Sequence, residues 1–207
     1  ANIQIKTNIS ADMEKKIFSG KQELRNRYLN YRNNLSMKER REKSAKIWEQ
    51  LKKEDIFKQA QILLVYMDYR SEVMTTGLVE ELFALQEKRI FAPKVEGMDI
   101  QFYEVTSMED FAEGYQGIRE PLGDSAGLFT NKILQDTEAL ILVPGAVFDR
   151  ERGRMGYGKG FYDRYLTAFP RLHSAAFAFE CQITKKVPME THDIRPDLII
   201  TDTEVIR

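Results

Sequence analysis

The chain is poor in the residues that build covalent and metal frameworks. Its 207 residues include one cysteine, Cys181, and two histidines, His173 and His192. A single thiol excludes an internal disulfide, and two histidines cannot supply a Cys/His zinc cluster, so a reducing, cytoplasmic setting is expected. Long hydrophobic runs are also missing. No apolar stretch approaches the ~20 residues that span a bilayer, and the opening ANIQIKTNIS lacks a signal-peptide core, so no membrane partner is expected. The net charge is −1, which gives no global field toward nucleic acid.

What is present suits one large domain, because 43% hydrophobic content can fill a core. Residues 1–18 are weakly patterned and read as a flexible extension ahead of an α/β domain over 19–207. Ser19 with Gln22 resembles a capping box that starts a helix carrying Leu24, Tyr28, Tyr31 and Leu35 on one face. Ser36 with Glu39 repeats the signal before Ala45, Ile47, Trp48 and Leu51. From Lys15 to Lys53 there are 13 Lys and Arg against 4 Glu. A solvated helix face is the ordinary explanation of that excess, and a nucleic-acid surface the second.

Strand-length apolar runs follow. Ile62 to Met67 reads as a buried parallel strand, and the loop Asp68 to Thr76 leads into a helix with Leu78, Leu82 and Leu85. Ile90 to Val95 and Ile100 to Val105, joined by Gly97-Met98-Asp99, predict an antiparallel pair. Ser107 to Phe111 predicts a short helix, and residues 122–136 a loop with one helical turn. Ala139 to Val143, Ala175 to Phe179, Leu198 to Thr201 and Val205-Ile206 complete the set of strands. His173 reads as structural. His192-Asp193 lies in a polar loop and has no activated Ser or Cys to make a triad.

One stretch carries more chemistry than the rest. Between the strand ending at Pro144-Gly145 and a helix over Phe161 to Phe169 lies FDRERGRMGYGKG, read as strand, glycine loop, helix. Arg150, Arg152, Arg154 and Lys159 crowd the helix N-terminus, where the macrodipole and free N–H groups already favour anions. That arrangement fits a phosphate. Gly153 to Lys159 matches G-x-x-x-x-G-K, but Gly160 replaces the Ser or Thr that a P-loop places on magnesium. Asp163, one helical turn beyond Lys159, is the candidate metal ligand; the plainer alternative is a Lys159–Asp163 surface pair.

The segment LVPGAVFDRERGRMGYGKGFYDRYL resembles the signature of the 5-formyltetrahydrofolate cyclo-ligase (5,10-methenyltetrahydrofolate synthetase) family, and the resemblance runs from about Lys21 to Thr201. It implies a Rossmann-like layered sheet flanked by helices (NagB/RpiA/CoA transferase-like) with two N-terminal helices. It also implies a monomeric ligase that uses ATP and Mg2+ to turn 5-formyltetrahydrofolate into 5,10-methenyltetrahydrofolate with release of ADP and phosphate. Lys21, Leu24 and Arg25 match the family's early Lys-x-x-Leu-Arg, which contributes to the nucleotide site. The implied ATP site is Lys21, Arg25, Arg154, Met155, Gly156, Tyr157, Gly158, Lys159, Gly160, Phe161 and Tyr162, with Lys159 and Arg154 catalytic. The folate site takes Met67, Glu72, Tyr157, Gly158, Lys159, Gly160 and Phe161, and Asp163 and Asp193 hold the metal. Gly117 to Pro121 resembles a stretch near the substrate cleft, and Tyr162 is read equally as pterin border and as core. Phe161 departs from the tyrosine common at that position. Two rival readings are a sugar-phosphate isomerase or coenzyme A transferase of related fold, and a nucleic-acid adaptor.

Overall fold

A computed structural model describes residues 2–207, with side chains at 11 and from 13 onward; the flexibility expected for residues 1–18 falls largely on side chains outside that range. Helix α1 runs Asn2–Asn33, α2 Met37–Lys53 and α3 Asp55–Gln59. Strand β1 (Ile62–Leu64) leads to α4 (Thr76–Leu85), β2 (Arg89–Glu96) and β3 (Asp99–Val105). Then come the small strands β4 (Phe111–Glu113) and β5 (Arg119–Pro121), helix α5 (Asn131–Gln135), β6 (Ala139–Val143), β7 (Val147–Phe148) and β8 (Arg154–Met155). Helix α6 (Phe161–Ala168), β9 (His173–Phe177), β10 (Leu198–Ile200) and β11 (Val205–Ile206) finish the chain.

Seven strands form one sheet in the order β11-β10-β9-β6-β1-β2-β3. The inner five are parallel and the two edges antiparallel. Alternate side chains along each buried strand serve opposite faces. Leu63, Leu140 and Leu142 pack with Ile47 and Leu51 of α2 and Leu78 and Leu82 of α4. Ile62, Leu64, Ile141 and Val143 pack on the other face with Tyr165 and Leu166 of α6.

The capping box at Ser36 and Glu39 forms in both directions. The start read at Ser19 does not: α1 is already helical there, so Ser19 and Gln22 are interior residues. Two strands are displaced or shortened. The first stops at Leu64, although burial continues to Met67, and β9 covers residues 173–177 where 175–179 was read. Apolar runs report burial, whereas strand ends are set by where a partner's ladder ends. Among the described residues, no helix is long and apolar enough to cross a membrane.

After β1 the chain moves to β2 on one side, and after β6 it moves to β9 on the other. The border between β1 and β6 is therefore a topological switch point, where the loops at the carboxyl ends of the strands diverge and leave a crevice.

Candidate active site

A cavity of about 380 Å³ occupies that crevice. Its walls are the loop after β1, the end of α1, the glycine loop before α6 and the hairpin β4–β5. That size suits a small organic ligand. Met67, Glu72, Arg154, Gly156, Tyr157, Lys159, Gly160, Phe161, Tyr162 and Asp163 all line it. Lys21, Arg25, Met155, Gly158 and Asp193 lie outside its lining.

The wall beneath β1 is a closed polar network. Glu72 is 7% exposed. Its Oε1 accepts the Tyr157 hydroxyl at 2.8 Å and its Oε2 accepts the Tyr69 N–H at 2.8 Å. Arg32, also buried, donates from Nη1 to the Tyr157 oxygen at 2.7 Å and from Nε to Ser71 Oγ at 2.9 Å. Burial pushes the Glu72 carboxyl above its usual range, against the lowering effects of the Tyr157 bond and Arg32. Burial and the Glu72 charge push the Tyr157 hydroxyl up as well, so it stays protonated and donates. A carboxylate held this way can still accept ligand N–H groups on its remaining lone pairs.

The opposite wall is the glycine loop. The chain between β6 and α6 is not a plain loop, because β7 and β8 pair as a hairpin within it. Asp149, 1% exposed, closes the hairpin: Oδ1 accepts the Glu151 and Gly153 N–H groups, and Oδ2 reaches out to the Val187 N–H at 2.7 Å. A Cβ at Gly153 would stand 2.4 Å from Asp149 Oδ2, so only glycine fits.

This hairpin overturns the expectation that four cations crowd the α6 N-terminus. Arg150 pairs with Glu180 and Glu204, and Arg152 donates to the Pro196 carbonyl at 3.1 Å. The turn points both away from the crevice, and only Arg154 and Lys159 remain. Arg154 is 4% exposed, pairs through Nη2 with Asp163 Oδ2 at 3.2 Å and donates from Nη1 to the Pro144 carbonyl at 3.0 Å. Among the described residues its buried Nε has no hydrogen-bond partner. The expected Lys159–Asp163 pair gives way to this Arg154–Asp163 pair. Lys159 is exposed, and among the described residues its ammonium has no acidic partner within bonding distance.

Helix α1 brings its own cations alongside. Arg25 Nε donates to the Gly156 carbonyl at 2.9 Å, and Lys21 pairs with Glu190 at 2.7 Å. The Met155 side chain is buried against Leu24, Tyr28 and Leu29. Tyr162 packs against both core clusters, as the core reading expects, and it also lines the cavity. The Arg154 guanidinium lies 5.9 Å from its ring centroid.

Asp163 Oδ1 accepts the Ile194 N–H at 2.9 Å, which brings the polar loop containing Asp193 against α6. Asp193 Oδ2 accepts the Glu190 N–H, and Glu190, His192 and Asp193 offer ligand atoms within 4.8 Å of one another. The two carboxylates of that cluster are the kind of donor a hydrated hard cation takes, while Asp163 stands outside it, bonded to Arg154 and the Ile194 N–H.

Sequence reading missed Arg32, Ser71, Tyr115 and Asp149, whereas the stretch Gly117 to Pro121 does reach the cavity, through Ile118 and Glu120. Arg32 follows Arg25 by seven residues and so shares its helix face, a signal that the general basicity of the segment conceals. Tyr115 and Glu120 enter the cavity only because β4 and β5 fold over it.

A model of the 5-formyltetrahydrofolate cyclo-ligase family matches residues 17–202. The solution NMR structure of the Aquifex aeolicus 5,10-methenyltetrahydrofolate synthetase superposes with a TM-score of 0.76 at 35% identity, covering 90% of this chain and 92% of that one. A Schizosaccharomyces pombe protein named as a probable 5-formyltetrahydrofolate cyclo-ligase is 32% identical over 168 residues, 73% of this chain and 79% of its own. The mouse 5-formyltetrahydrofolate cyclo-ligase is 25% identical over 184 residues, 80% of this chain and 85% of its own.

Proposed function

The chain belongs to the 5-formyltetrahydrofolate cyclo-ligase family, and from that premise we propose how its crevice converts 5-formyltetrahydrofolate to 5,10-methenyltetrahydrofolate. ATP is the co-substrate. Its γ-phosphoryl group passes to the formyl oxygen, which turns a poor leaving group into phosphate. N10 of the same folate then attacks the activated carbon, the new C–N bond forms, the C–O bond breaks and the N10 proton is lost. No protein nucleophile is required, because proximity within one molecule supplies what a bimolecular step lacks.

The observation that carries this reading is the meeting of two unlike walls in one crevice. A buried carboxylate suited to the N–H edge of a pterin faces a glycine loop whose lysine is free to meet phosphate. Glu72 holds the pterin while Met67 and Tyr157 border it. Lys159 and Arg154 stabilise charge on the transferring phosphoryl group, and the Gly156 to Gly160 N–H groups wrap the phosphate chain. Arg25 and Lys21 add positive charge from α1. Asp163 and Asp193 hold magnesium, which when bound neutralises phosphate charge. A monomer in a reducing cytoplasm is the proposed setting; the free thiol of Cys181 fits the reducing compartment.

The test mixes the protein with 5-formyltetrahydrofolate, ATP and magnesium and follows the near-ultraviolet absorbance of the methenyl product. Product that needs all three additions is expected. A folded protein that binds ATP and forms no product overturns the reading. The isomerase and transferase alternative loses support with the family assignment.

A further inference from the structure

Arg164 stands where a helix disfavours it, one turn into α6, close to the positive end of the macrodipole. Its side chain runs back toward that end, as long helical side chains do. Three acceptors hold it there. Nε donates to Asp99 Oδ1 at 2.8 Å, Nη2 donates to the Met98 carbonyl, and Nη1 donates to the Lys159 carbonyl at 2.9 Å. The guanidinium carbon also lies 5.8 Å from the Phe161 ring centroid. Met98 and Asp99 belong to the tip of the β2–β3 hairpin, far from Lys159 in sequence. Among the described residues, Arg164 is therefore the one side chain that bonds both that tip and the glycine loop.

The loop needs such a tie. Gly158 and Gly160, on either side of Lys159, have φ of +95° and +68°, so the lysine sits between two backbone swivels. A Cβ at Gly160 would stand 2.6 Å from Arg164 Nη1, so the same glycine that frees the backbone also makes room for the guanidinium. We propose that Arg164 is a positioning residue, a latch that fastens the Lys159 carbonyl to the β2–β3 hairpin tip and so holds the glycine loop in its nucleotide-receiving conformation. The phosphate role of the loop rests on the reading above; the latch itself rests on the contacts just given.

A latch has a kinetic signature that a catalytic contact lacks. Without it the competent loop conformation is a smaller fraction of the population, and apparent affinity falls by that fraction, while saturating ligand restores the conformation. Arg164→Met should raise KM for ATP about tenfold and leave kcat within about twofold. Asp99→Ala should raise the same constant about threefold, and the double variant should match Arg164→Met alone, because both cut one tie. Arg164→Lys should recover part of the loss. Hydrogen exchange at the 156–160 amides of Arg164→Met should quicken in the free protein and return to the parent rate with ATP and magnesium. An unchanged KM for ATP, a fall in kcat at constant KM, or parent-like exchange would overturn the latch. A parent chain that turns nothing over would overturn the functional reading instead, and the exchange rates of the free protein would then decide the latch alone.

Discussion

On the β1 side of the crevice the polar groups answer one another: Arg32, Ser71 and Glu72 are buried, and the Tyr157 hydroxyl, reaching across from the glycine loop, bonds both Arg32 and Glu72. On the glycine-loop side they do not: among the described residues Lys159 meets no acid and Arg154 Nε no partner. The first wall is hydrogen-bonded before any ligand arrives, and its carboxylate keeps lone pairs for further N–H groups. The second holds uncompensated positive charge, which is tolerable because Lys159 is solvated and which suits a site whose ligand brings the anion. Satisfied networks confer specificity, while open donors confer affinity for charge.

Four substitutions test that contrast. Lys159→Met should lower kcat about 10²–10³-fold with the fold intact, read from product absorbance and circular dichroism. Equal turnover in the variant would show that the open wall does not handle phosphate. Arg154→Met should cost about 3–5 kcal/mol of stability, because it strands Asp163 in a largely buried pair, as a denaturant melt would show.

Tyr157→Phe removes the hydroxyl joining Arg32 to Glu72 and should cost about 1–3 kcal/mol, with a parallel rise in KM for the folate and little change in KM for ATP. Glu72→Gln tests the same wall through pH. The Glu72 pKa is raised by folding, so its contribution is fully present below the unfolded value of 4.5 and fades as pH rises through the higher folded value. The stability difference should therefore shift in favour of the variant between pH 5 and pH 8. A constant difference across melts at the two pH values would mean that the carboxylate is not strained by burial.

Much of this molecule was legible in residue order. The alternation of apolar runs and helical segments predicts the parallel sheet, the capping box at Ser36 marks α2, and Gly97-Met98-Asp99 marks the β2–β3 turn, because all three depend on neighbours within a few residues. Ser19 and Gln22 had the same local form and meant nothing, because the chain before them is already helical. Arg150, Arg152 and Arg154 show the limit most sharply. They are equivalent in the sequence, yet the β7–β8 hairpin sends two to Glu180, Glu204 and Pro196 and buries the third beside Asp163. Arg32 and Arg164 each join segments far apart in the chain.

The sequence by itself determined the layers of the sheet, the position of the glycine loop and the family, since local periodicity and an uninterrupted signature carry those. Only the tertiary structure decided which cations face the crevice, which carboxylate is buried and what holds the loop in place. Those depend on partners brought together by the sheet order, and no spacing along the chain encodes which side of a turn a charged side chain will face.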